Sequence, residues 1–132
     1  MSGYFDDLET RSADQRASDL AAALPRQIAN AKALSGYATS LEGVDPEKIR
    51  DANALSDLPV LRKSEIGRAQ AANPPFGGFA ARPANGFAHV FQSPGPIYEP
   101  GGSSHDWWRF GRFLNACGIG AGDIVQNCFG YH

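Results

Sequence analysis

Residues 73 to 79 read Asn-Pro-Pro-Phe-Gly-Gly-Phe, and no regular element crosses such a stretch. Proline removes a backbone donor and clashes with the preceding turn of a helix, while paired glycines cost the most to order. The chain must therefore be built as one part before this breaker and another after it. We place the boundary there, with a helical region over 1–80 and a second region over 81–132.

The first part has helical periodicity. Ser12 is a plausible N-cap for a helix whose apolar positions Ala17, Leu20, Ala21 and Leu24 recur at three- and four-residue spacing. Pro25 predicts a break or kink, after which Ile28, Ala31 and Leu34 continue a second helix ended by Gly36. Asp45-Pro46 opens a short turn of helix, "ANALSDLP" forms another, and residues 62–71 make a further helix that runs into the breaker.

After residue 80 the texture changes. "GFAHVF" (86–91) reads as a strand, 104–117 as a helix with Trp107, Phe110 and Leu114 on one face, and "DIVQNCF" (123–129) as a second strand. Strand, helix and strand predict a parallel βαβ unit with a right-handed crossover. Two parallel strands do not make a finished sheet, since such sheets are covered on both faces. The expected class is α/β: an N-terminal helical segment followed by the first βαβ of an incomplete domain.

Charge and composition exclude several functions. A net charge of -2 argues against nucleic acid or an anionic membrane as partner. No apolar run nears the roughly 20 residues that span a bilayer, and "MSGYFDDLET" has acids where a signal peptide has basic and apolar residues, so a cytoplasmic location is expected. Cys117 and Cys128 sit in apolar surroundings without C-x-x-C pairing and are read as buried thiols; His89, His105 and His132 are scattered and make no metal set. Trp107 and Trp108 point to different faces of a helix, one to the core and one to a rim. Arg62, Lys63, Arg68, Arg109 and Arg112 are read as solvated helix faces or partners for nearby acids. No G-x-S-x-G, no H-E-x-x-H and no nucleophile–base spacing is present, so no catalytic residue and no metal ligand is assigned.

Several pieces in order carry a resemblance. "YFDDLET", "LPVLRKSEI" (58–66), "NPPFGGFAA" (73–81), the strand and loop at 89–102, and "GIGAGDIVQNCFGY" (118–131) resemble the N-terminal part of phenylacetate-CoA ligases, members of the adenylate-forming, AMP-binding superfamily. The resemblance implies ATP- and Mg²⁺-dependent activation of an aromatic or related carboxylic acid to an acyl-adenylate, then transfer to coenzyme A. It also implies a chain about three times longer, with 81–132 as the start of the AMP-binding domain. The adenine, ribose and metal contacts and the lysine of the mobile domain would lie past His132. This stretch by itself is therefore expected to be inactive, with no cofactor bound tightly to it.

The family's phosphate loop, Ser-Ser-Gly-Thr-Thr-Gly-Lys-Pro, aligns with 93–100. Ser93, Gly95 and Pro100 match and are the candidate nucleotide-binding residues that the resemblance implies. Pro94, Pro96, Ile97, Tyr98 and Glu99 depart from it: the prolines lack N–H groups, Ile97 lacks a hydroxyl, and Glu99 stands where the family has a cation. Gly101-Gly102 precede a capping-box arrangement of Ser103 and Asp106, read as a helix cap rather than a phosphate site. Tyr98 and Glu99 are read either as an acid–phenol pair or as a polar loop edge. The expected partners are the rest of a ligase chain or a second copy in a homodimer. The alternative reading is a non-catalytic interaction or oligomerisation module derived from such a ligase.

Overall fold

The computed structural model describes residues 3–128. They divide into two compact units, residues 12–105 and the terminal segments 3–11 with 106–128.

In the larger unit, α1 (Ala13–Lys32) starts at Ser12, whose hydroxyl accepts the Gln15 N–H at 3.1 Å as the expected N-cap. The helix does not break at Pro25. It runs through, with Pro25 buried, and the carbonyl of Ala21 that proline leaves without a donor receives the Arg50 guanidinium at 3.4 Å. A short turn of 3-10 helix (Pro46–Lys48), capped by Asp45, packs against α1, and Lys32 donates from α1 to the carbonyls of Glu42 and Val44 at 3.0 and 2.7 Å. Two single-turn helices, α2 (Ser35–Ala38) and α3 (Ala52–Leu55), lead on to α4 (Lys63–Ala72). Gly36 does not end α1 but lies inside α2, where a Cβ would collide with the Phe79 ring. The breaker is thus folded back on the helices: the Gly36 N–H donates to the Gly78 carbonyl at 3.0 Å. Gly78 has φ +77 and no room for a side chain. Phe79 meets Tyr37 edge-on at 4.9 Å, and Phe76 meets Phe87 at 5.6 Å.

Beyond the breaker the helical region gives way to strands, as expected of part of an α/β domain, but their pairing differs from the βαβ expectation. β1 (His89–Ser93) pairs antiparallel with β2 (Ile97–Gly101), so the second strand follows within a few residues instead of after a crossover. The turn Pro94-Gly95-Pro96 reverses the chain around Gly95 at φ +128. Closing a loop this short costs far less entropy than closing one that includes a helix. Glu99, Pro100 and Gly101 are poor strand formers and hid β2 from the sequence pattern. Residues 123–128 of the anticipated second strand hold no regular structure, and Phe129 lies outside the described residues.

In the terminal unit the anticipated helix over 104–117 shrinks to α5 (Gly111–Ala116). Asp106 and Arg109 adopt φ of 49° and 58°, left-handed conformations that no α-helix accommodates. Asp106 therefore does not complete a capping box with Ser103; its carboxylate accepts the Gly111 N–H at 2.9 Å instead. Trp107 and Trp108 precede the helix, and both are exposed rather than one being in a core. Cys117 and Cys128 are exposed free thiols, against the expectation of burial; none of the described residues of this unit is buried. Arg112 forks onto Asp6 at 3.0 Å, as a partner for an acid far away in sequence.

Candidate functional site

The hairpin decides where the three candidate residues lie. Ser93 is the last residue of β1 and faces Ile97 across the ladder, Gly95 is the centre of the turn, and Pro100 faces Val90 three register steps further down. Ser93 and Gly95 are thus held together at the turn, while Pro100 sits apart on the strand.

Glu99 organises the polar side of the hairpin. The Ser93 hydroxyl shares its proton between Glu99 Oε1 at 3.1 Å and the Ile97 carbonyl at 3.4 Å. Lys63, the first residue of α4, brings its ammonium to the same Oε1 at 3.5 Å. Both charged side chains are more than half exposed, so the pair contributes at most about 1 kcal/mol. Of the two readings for Tyr98 and Glu99, this arrangement is a polar edge: the described partners of Glu99 are a lysine and a serine.

Gln70, near the end of α4, was not singled out by sequence. Its side chain is buried at 6 % relative exposure. Its amide donates to the Tyr98 carbonyl at 2.8 Å and accepts the Tyr98 N–H at 2.8 Å, pairing with the outer edge of β2 as a neighbouring strand would. The sequence held no signal for this, because a glutamine in a helix is ordinarily a solvated residue.

Between α4, the breaker and β2 lies a groove of about 290 Å³. Its walls include Tyr37, Ile66, Phe76 and Ile97, with Lys63 and Glu99 also lining it. This is an apolar slot with one compensated charge pair, lacking any nucleophile and base held together.

The turn is poor in the groups that hold a nucleotide phosphate. Phosphate cradles work through converging N–H groups and hydroxyls. Here Pro94 and Pro96 supply no N–H, the Ser93 hydroxyl is engaged by Glu99, and a carboxylate stands where anion binding needs a cation. Among the described residues no group of three His, Cys, Asp or Glu side chains is placed to hold a metal ion, and no helix is long and apolar enough to cross a membrane.

No family model matches the sequence, and no curated protein matches it significantly. Among solved structures, that of 2-hydroxyisobutyryl-CoA ligase in the postadenylation state, in complex with 2-HIB-AMP, is similar to this chain. The TM-score is 0.70 and the identity 26%, with 84% of this chain and 25% of the ligase chain covered. The described helical region followed by a two-stranded antiparallel sheet thus has the fold of part of an adenylate-forming acid-CoA ligase, spanning about a quarter of that chain's length.

Proposed function

We propose that these residues form the N-terminal region of a phenylacetate-CoA-ligase-like enzyme, with a helical region over 1–80 and the opening of the AMP-binding domain over 81–132. The whole enzyme would activate an aromatic or related carboxylic acid with ATP and Mg²⁺ and pass the acyl group to coenzyme A. The observation that carries this reading is the likeness to a CoA ligase over 84% of this chain but only 25% of the other. The neighbour's own acid, 2-hydroxyisobutyrate, makes short hydroxy acids the second substrate class to test beside aryl acetates. The 132-residue stretch supplies no catalytic residue, so it is inactive alone, and the rest of the ligase is its partner. We place the enzyme in the cytoplasm.

Ser93, Gly95 and Pro100 stand in this reading where the family keeps its phosphate loop. A second reading is favoured by the poverty of donors at that turn: a non-catalytic interaction module derived from such a ligase. Carboxylate-dependent ATP–pyrophosphate exchange separates the two. The ligase reading expects the reading frame to continue past the His132 codon, exchange by the longer product with an aryl acetate or a hydroxy acid, and none by the 132-residue chain. Exchange by the short chain alone, or none by a longer product with any acid, overturns it.

A further inference from the structure

Gln70 does more than close an edge. The Tyr98 N–H donates to Gln70 Oε1 and the Tyr98 C=O accepts from Gln70 Nε2, each at 2.8 Å, so the carboxamide grips one residue of β2 twice. Its neighbours on α4 hold the residues on either side. Lys63 reaches Glu99 at 3.5 Å, and Gly67 passes so close to Ile97 that a Cβ there would lie 3.9 Å from Ile97 Cγ1. Positions 63, 67 and 70 share one helix face, so a single stripe of α4 takes hold of Ile97, Tyr98 and Glu99 in succession. The three grips are unequal. The Lys63–Glu99 pair is exposed and the Gly67 contact is ordinary packing, whereas Gln70 is buried and both its hydrogen bonds are short.

What is fixed at Tyr98 is carried to the turn. Ile97 faces Ser93 across the ladder, and Ser93 also bonds to Glu99, so both ends of the turn are tied to the gripped strand. Between them Pro94 and Pro96 fix their own φ and restrict Ser93 and Gly95 before them. Such a turn has little freedom to absorb a shift at its base. We propose that Gln70 is the positioning residue for this turn, setting through Tyr98 where Ser93 and Gly95 stand relative to α4. This role rests on the ligase reading, in which the turn stands at the phosphate-loop position. With so few donors there, nucleotide affinity depends on where those few are held.

Two substitutions separate grip from bulk. Gln70→Met keeps most of the side-chain volume and loses both hydrogen bonds. Gln70→Glu keeps them only while protonated, since a carboxylic acid accepts from the Tyr98 N–H and donates to its C=O, whereas a carboxylate cannot donate. Burial raises the pKa of such a carboxyl, and the charged groups lining the same groove, Lys63 and Glu99, oppose each other. The grip of Gln70→Glu is therefore present at low pH and lost as pH rises through the raised value. In the 132-residue chain with Cys117→Ser and Cys128→Ser, nitroxides attached through Arg68→Cys and Gln92→Cys, both exposed positions, report the distance from α4 to the turn end of the hairpin. Its distribution should be narrow with Gln70, broadened or shifted in Gln70→Met, and narrow in Gln70→Glu at low pH only. In a longer product that carries out ATP–pyrophosphate exchange, Gln70→Met should raise KM for ATP about fivefold or more and leave kcat within about twofold. An unaltered distance distribution in Gln70→Met overturns the proposal, as does Gln70→Glu behaving alike at low and neutral pH. An unchanged KM for ATP, or a loss confined to kcat, overturns it equally. If the longer product exchanges with no acid, the ligase reading is what falls, and the nitroxide distances still decide whether Gln70 places the turn.

Discussion

In residues 12–105, Ile28, Leu41, Ile49, Phe76 and Ile97 are buried, and Gln70 is buried with them. In residues 3–11 with 106–128 no residue is buried, and Trp108, Phe110 and Phe113 stay more than half exposed. Both units are rich in apolar side chains and both have well-made local hydrogen bonds, so neither composition nor capping separates them. The difference is a second layer. In the larger unit the breaker folds back to lay Phe76 and Phe79 on the helices, and α4 closes the edge of β2. The terminal unit has a turn of 3-10 helix (Asp7–Thr10) and one short helix, tied by the Arg112–Asp6 pair and by the Phe5 ring against Gly111, and none of its described residues is buried. Local structure forms where the chain allows it, but a core needs two faces.

This comparison can be broken. The largest effect is expected from Phe76→Ala, which empties a buried site and should cost about 3–5 kcal/mol in urea unfolding followed by far-UV circular dichroism. Both tryptophans lie in the terminal unit, so their fluorescence gives that unit a separate readout. If its transition moves as far as the dichroism does, the two units do not differ in the way described. Gln70→Ala should come next, at about 2–3 kcal/mol, because it leaves the Tyr98 N–H and C=O unpaired near a buried position. Faster amide exchange at Tyr98 would tie the loss to that edge. Ser12→Ala removes the cap of α1 and should cost about 1 kcal/mol by the same unfolding measurement. Arg112→Ala should cost least, below about 1 kcal/mol, since both partners are partly exposed; the loss should shrink in high salt. A larger loss would mean that the terminal unit depends on that pair more than its exposure suggests.

Much of the helical region could be read from residue patterns. Ser12 and Asp45 each cap the element that begins just after them, because capping needs only neighbours in sequence, and Asp51, which the pattern did not single out, does the same for α3. Pro25 misled, since its cost depends on whether the freed carbonyl finds another donor, and the one it finds is Arg50, 29 residues away from Ala21. The hairpin was half legible. β1 overlaps the expected strand over 89–91, whereas 97–101 was read as part of a loop; the ladder accommodates Pro100 there because its nitrogen faces outward. At the candidate site, Ser93, Gly95 and Pro100 could be named from order and resemblance, whereas Lys63 and Gln70 could not be tied to the hairpin at all. Their partners, Glu99 and Tyr98, lie 36 and 28 residues further on.

By itself the sequence determined the caps at Ser12 and Asp45, the breaker at 73–79, and the poverty of backbone donors at Pro94 and Pro96 in the turn, all consequences of what single residues can donate or which φ they permit. Only the tertiary structure decided that α1 survives Pro25, that β2 pairs back on β1, and that Gln70 closes the outer edge of β2. Those outcomes turn on hydrogen-bond partners supplied from distant parts of the chain, and spacing along a sequence carries no record of which partner arrives.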